Sequence, residues 1–213
     1  MKKHKMTKRL ILALGIIGLS VTGVRADSVN EKEITYADPT IYVENGKYYL
    51  TGTRNQEPQG FAILESTDLE HWTVPDDTSL QLILRKGDQT YGEKGFWAPQ
   101  YFKDKRTYYF TYTANEQTVI ASSKSVFGPF RQKEVKPIDA SAKNIDSFLF
   151  KDDDGKYYLY HVRFNKGNYL WVAEFDIKKG SIKPETLKQC MDCTEAWEKT
   201  PNYKSAPVME GPT

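Results

Sequence analysis

The sequence predicts an all-β fold, a β-propeller, on three observations. A phrase of strand, tight turn, paired tyrosines and second strand recurs three times along the chain. The recurrences begin near residues 38, 98 and 146, a spacing of 48–60 residues that suits a four-stranded blade. No segment of residues 28–213 sustains a helical hydrophobic period, apart from a turn's worth at residues 194–199. A β-sandwich would also show short alternating strands, but it does not repeat one phrase at so long a period.

Residues 1–26 stand apart from the repeat. Lys2, Lys3, Lys5, Lys8 and Arg9 precede an apolar stretch from Leu10 to about Val24, and Val24-Arg25-Ala26 puts small residues where a signal peptidase reads. The apolar run, about 15 residues, is short against the roughly 20 of a spanning helix. A cleaved secretory signal is therefore expected, and with it a secreted protein, periplasmic or extracellular. No cysteine lies near the cleavage point to carry a lipid anchor. The segment holds six of the 30 basic residues and no acid, so residues 27–213 carry 24 basic against 28 acidic side chains. Their net charge is −4 where the whole chain has +2. That balance gives no support to nucleic acid, or to a membrane once the signal is removed, as a partner.

The first blade opens at Asp38, turns at Asn45-Gly46 and returns through Tyr48 and Tyr49. Asn-Gly between β-rich runs is a strong hairpin signal because both turn residues take positive φ. The second blade opens at Ala98 and carries Tyr108 and Tyr109. The third opens at Asp146, has one extra residue before its turn at Asp154-Gly155, and carries Tyr157 and Tyr158. A third strand is expected at residues 60–66, 118–123 and 169–175, and a fourth segment near Trp72, Phe130 and Ile182. Another opening stands at Glu210. Residues 27–213 thus read as a partial propeller of about three blades with the start of a fourth.

Cys190 and Cys193 have no second pair and no neighbouring histidine for a zinc site, and no βαβ context for a redox pair. A local disulfide and two free thiols both remain as readings. His71 and His161 are read as satisfied structural histidines. Aromatic residues make up 13% of the chain, a level that sugar stacking and β-sheet cores explain equally well.

The first strand of each propeller blade lines the central channel, so residues at equivalent ends of those strands converge although distant in sequence. Asp38, Asp146 and Glu210 hold nearly the same place in their repeats, where the second repeat has Trp97-Ala98-Pro99. Singly, each has a mundane reading. Asp38 before Pro39 is a usual turn starter, Asp146 can cap a turn, and Glu210 can be a surface acid. Together they suit glycoside hydrolysis, which needs one ionised carboxylate, one protonated group and a nearby charge that keeps the donor protonated.

A-D-P-T-I at 37–41, F-W-A-P at 96–99, I-D-S-F-L-F-K-D-D-D-G-K-Y-Y-L at 145–159, V-M-E-G-P at 208–212 and S-T-D-L-E-H-W at 66–72 resemble the family 43 glycoside hydrolases. The resemblance implies a five-bladed propeller that hydrolyses arabinose- and xylose-containing plant polysaccharides or oligosaccharides with inversion. By motif, Asp38 would be the general base, Glu210 the general acid, and Asp146 the residue that tunes the acid's pKa and orients the substrate. Trp97 would be a sugar platform, and Phe61 a further sugar contact. Gln100 stands where the family often has an acid after A-P. No cofactor and no metal ligand are expected here, since the family's channel histidine, often tied to a cation, would fall in blades beyond Thr213. The partner implied is an oligo- or polysaccharide substrate, and nothing in the sequence assigns an oligomeric state. The 213-residue chain is expected to be weakly active or inactive, because Glu210 stands on a blade that has barely begun. The alternative is a non-catalytic propeller fragment with at most weak sugar binding. Invertase and fructanase propellers also set two Asp and one Glu in a funnel, but their N-D-P-N-G, R-D-P and E-C motifs differ from those here. The loop at residues 189–205, with Cys190, Cys193 and Trp197, is expected to overhang the funnel.

Overall fold

The computed structural model describes residues 34–75, 82–198 and 207–212. The expected signal segment, residues 1–26, lies outside them. Two hairpin strands, β1 (Ala37–Glu44) and β2 (Lys47–Thr53), begin the fold around the turn at Asn45 and Gly46, both at positive φ. The run at residues 60–66 is two strands, not the single one expected. β3 (Gly60–Ala62) leaves the sheet to pair with β5 (Leu82–Arg85), while β4 (Leu64–Ser66) joins β2. Gly60 permits this. Its φ is 141°, and a Cβ there would stand 2.1 Å from the Leu84 carbonyl oxygen, so only glycine lets β5 come so close.

The second sheet is β6 (Trp97–Asp104), β7 (Thr107–Ala114) and β8 (Gln117–Ser123). The third contains β9 (Asn144–Lys151), β10 (Tyr157–Phe164), β11 (Asn168–Asp176) and β12 (Ser181–Ile182) in that order, with β13 (Lys188–Met191) also paired to β11. All these strand pairings are antiparallel. The fourth segments are slight: Thr73 bridges to Glu65, Arg131 bridges to Ser122, and β12 has two residues. Short 3₁₀ turns occupy Pro184–Thr186 and Ala196–Glu198, and no helix of the described residues is long and apolar enough to cross a membrane.

The paired tyrosines have divided duties, because adjacent strand residues face opposite sides of a sheet. In the second and third pairs the first tyrosine makes a polar clamp to the preceding blade. Tyr108 donates its hydroxyl to Glu44 at 2.5 Å, and the Lys103 ammonium, held above the Tyr108 ring, donates to the same carboxylate. One blade on, Tyr157 donates to Asp104 at 2.9 Å and Lys151 donates to it at 2.8 Å, again over the tyrosine ring. The apolar filling lies beside these clamps. Tyr49, Phe61, Ile83, Phe96, Phe110, Tyr112 and Phe130 belong to one buried cluster, while Leu149, Leu159 and Phe175 of the third sheet pack with Phe102 and Ile120 of the second. Asn144 secures the junction. Its buried Oδ1 accepts from the Thr118 N–H at 2.9 Å and hydroxyl at 2.5 Å, tying β8 to the start of β9.

Both cysteines are free, Cys190 exposed and Cys193 buried. His71 behaves as expected and pairs with Asp68 in an exposed turn at 2.8 Å. His161 does not. It is fully buried on the face of β10 that carries Leu159, opposite Trp171, and neither ring nitrogen has a hydrogen-bond partner among the described residues.

Burial, and then the charge of Arg163, pushes the His161 pKa down to about 4 from 6.5. The unfolded chain therefore takes up a proton between these pH values that the folded chain refuses, so stability falls as pH falls through the window. The component amounts to on the order of 3 kcal/mol at its low end. His161→Leu is expected to lose it: urea midpoints at pH 7.5 and 4.5 should lie closer together than in the unaltered chain. An equal acid sensitivity in both proteins would show that His161 is not its source.

Candidate active site

Strands β1, β6 and β9 open alike. Asp38, Ala98 and Asp146 have φ of 46°, 44° and 49°, and the ladder register slips beside each of them. A bulge with a left-handed residue re-aims one side chain while the rest of the strand keeps its pairing. The side chains so displaced are an aspartate in the first blade, a methyl in the second and an aspartate in the third.

A threonine at the end of the preceding second strand holds the next opening. Thr53 accepts the Ala98 N–H at 2.9 Å and donates its single hydroxyl proton to Asp38 Oδ2 at 2.6 Å. Thr113 holds the same step of β7 and accepts the Asp146 N–H at 3.0 Å. On β10 that step is Val162, which has no acceptor. The Gly211 N–H is instead donated to the Asp146 carboxylate.

Gly211 also corrects the register of the fourth opening. It has φ of 72° and precedes Pro212, as Asp38 precedes Pro39 and Ala98 precedes Pro99. Glu210 therefore stands one residue earlier, level with Ala37 and Trp97, and its match to Asp38 is off by one. Glu210 is exposed. Asn168, the first residue of β11, donates its side-chain amide to Glu210 Oε1 and pairs through its main chain with the Pro207 carbonyl and the Met209 N–H.

Asp38, Ala98, Gln100, Asp146, Ser147 and Gly211 line a cavity of about 130 Å³. Pro39 and Pro212 complete its lining; Gln100 accepts from the Thr40 hydroxyl at 3.0 Å, and the buried Ser147 hydroxyl has no partner among the described residues. The Asp146 carboxyl is pushed up to about 6, first by burial, then by the charges of Glu210 and Asp38, against the opposing bond from Gly211. The three acids therefore share one electrostatic site.

Of the expected sugar contacts, Trp97 is 38% exposed, its ring lying against Gly95. Phe61 overturns its expectation. It is 0% exposed and packed among Phe96, Phe110 and Tyr112, because β3 turns inward to pair with β5. No group of three or more His, Cys, Asp and Glu side chains among the described residues is placed to hold a metal ion, so the family's cation has no fitting ligand set in them. Thr53, Asn168 and Gly211 escaped the sequence reading. Thr53 and Thr113 do share a signal, each five residues after the first tyrosine of its pair, and Gly211-Pro212 repeats the X-Pro step of the earlier openings. Asn168 has no counterpart from which to read it.

The family model for glycosyl hydrolases family 43 matches residues 32–213. The chain is 28% identical over 202 residues to the extracellular endo-α-(1→5)-L-arabinanase 1 of Bacillus subtilis (strain 168), covering 86% of this chain and 61% of that protein. It is 29% identical over 156 residues to a xylosidase/arabinosidase of Butyrivibrio fibrisolvens, covering 68% of this chain and 29% of that one. Among solved structures, an endo-1,4-β-xylanase from Bacteroides thetaiotaomicron superposes with a TM-score of 0.69 at 41% identity, over 76% of this chain and 55% of the other. A thermostable family-43 glycoside hydrolase gives a TM-score of 0.70 at 27% identity, over 83% and 59%. The fold is thus the all-β propeller, of which the described residues form about three blades, and the chain spans between 55% and 61% of the arabinanase and these two structures.

The raised Asp146 pKa makes a prediction about stability. The folded chain holds a proton on Asp146 up to about pH 6, whereas the unfolded one releases it near 3.8. Stability from this group is present below the lower value and is lost as pH rises through the upper one, the opposite sign to His161. Asp146→Asn should therefore melt at a higher temperature than the unaltered chain at pH 7.5 and at about the same temperature at pH 3.5. A lower melting temperature for the variant at pH 7.5 would sink this account.

Proposed function

Because the chain belongs to glycosyl hydrolases family 43, we propose that it is a secreted glycosidase acting with inversion on arabinose- and xylose-containing plant polysaccharides or their oligosaccharides. The observation that carries the reading is the convergence of Asp38, Asp146 and Glu210, expressed in the raised proton affinity of Asp146. Asp38 acts as general base. Thr53 occupies Oδ2, which leaves Oδ1 to take a proton from the attacking water. Glu210 gives its proton to the departing glycosidic oxygen. The charge of Glu210 is one of the causes that raise the Asp146 carboxyl, so Asp146 keeps a proton beside the donor, as like charges at close range disfavour full ionisation. A water between base and sugar requires the Asp38 and Glu210 carboxyls to stand roughly 6.5–9.5 Å apart in the substrate complex.

Turnover by the 213-residue chain is expected to be slow. Glu210 is exposed, and a proton donor must be held to within a fraction of an ångström. The same exposure favours a second reading, a non-catalytic propeller fragment with at most weak sugar binding.

Hydrolysis of 4-nitrophenyl arabinofuranoside and xyloside, with NMR of the first sugar anomer released, separates these readings. The inverted anomer should form first, and Asp38→Ala should lower kcat by about 10²- to 10⁴-fold. A retained anomer, or turnover indifferent to Asp38→Ala, would overturn the mechanism. Sugar binding with no turnover would select the second reading.

A further inference from the structure

We propose that Asn168 is the positioning residue of Glu210, its side-chain amide deciding which carboxyl oxygen carries the proton delivered to the leaving group. The proposal rests on Glu210 being the proton donor. Asn168 does two separable things. Its main chain docks the segment that bears Glu210: the Asn168 N–H donates to the Pro207 carbonyl at 2.9 Å, the Met209 N–H donates to the Asn168 carbonyl at 2.8 Å, and Asn168 pairs in parallel with Val208. Gly167 makes room for this, since a Cβ there would lie 3.0 Å from the Pro207 oxygen and 2.8 Å from the Tyr169 ring. These bonds use no side-chain atom of residue 168.

The side chain acts on the carboxyl alone. Asn168 Nδ2 donates to Glu210 Oε1, and no other side chain among the described residues hydrogen-bonds Glu210. A protonated carboxyl has one carbonyl-type oxygen, which accepts, and one hydroxyl oxygen, which donates. An N–H aimed at Oε1 therefore places the proton on Oε2. The reversed amide would set its own oxygen against a carboxylate oxygen whenever Glu210 is ionised, acceptor facing acceptor, and would draw the proton to itself when Glu210 is protonated. On an exposed side chain with several rotamers open to it, this one bond fixes both orientation and proton location.

The test compares Asn168→Ala with the unaltered chain on two glycosides. One is a methyl glycoside, whose leaving oxygen needs a proton, and the other is a 2,4-dinitrophenyl glycoside, whose leaving group departs without one. The methyl glycoside should lose about 10- to 100-fold in kcat with KM unchanged, and the dinitrophenyl glycoside less than about threefold. A merely structural role would slow both equally, and that result, or no loss on either, would overturn the proposal. A second measurement needs no turnover. In NMR spectra of the full chain, the Asn168 side-chain amide signals should move in Glu210→Ala while the backbone amides of Asn168 and Met209 stay in place. Side-chain signals indifferent to Glu210→Ala would refute the positioning role, whereas a moved amide in a chain without turnover would count against the glycosidase reading and keep the contact.

Discussion

The geometry of the site depends on one hydroxyl proton. Thr53 has a single O–H, and its oxygen is already an acceptor for the Ala98 N–H, so the proton is directed to Asp38. The bond joins three things at once: the end of one blade's second strand, the opening of that blade's first strand and the opening of the next blade. The angle between adjacent blades and the orientation of the first aspartate are thereby a single constraint. Thr113 repeats the backbone half of this arrangement under Asp146. At the third step the hydroxyl is replaced by Val162, and the next N–H finds the Asp146 carboxylate itself. The loss of an acceptor on the scaffold thus gives the buried acid a backbone bond.

Farther out, the same blade interfaces are closed by charge. The Glu44 and Asp104 carboxylates each accept a lysine and a tyrosine hydroxyl from the following blade, and each lysine also lies over the tyrosine ring. Such partly exposed ion pairs add little stability singly. Their bidirectional geometry is what matters, since an acid that accepts two donors from one neighbouring hairpin admits one register between blades. The aromatic cluster around Phe61, Phe110 and Tyr112 supplies the burial that makes this register worth keeping. Channel latches inside and clamps outside leave the openings of β1, β6 and β9 little freedom, which suits a site assembled from three separate blades.

Much of this was legible because repeats are local. The turn at Asn45-Gly46, the paired tyrosines and the recurring openings are each written within about fifteen residues, and their period announces the propeller. What the sequence misjudged lay in contacts between repeats. By motif Phe61 is expected to contact sugar, yet Gly60 lets β3 swing to β5 and carries the ring into the core. His161 looked like an ordinary satisfied histidine, yet it is fully buried and its ring nitrogens have no hydrogen-bond partner among the described residues. Glu210 lies nearly level with Asp38 in the repeat, and it is Gly211 that shares the positive φ of Asp38.

By itself, the sequence determined the blade phrase and the all-β class, because short-range turn chemistry and period-two patterning specify strands without reference to distant residues, and it put forward three acids as the candidate site. Only the tertiary structure decided how those acids are held. Thr53, Thr113 and Asn168 act on residues 15 to 45 positions away, through hydrogen bonds within and between blades. Whether a carboxyl stays charged, takes up a proton or turns toward a substrate depends on burial and on charges from other blades, and both come into being only when the blades meet.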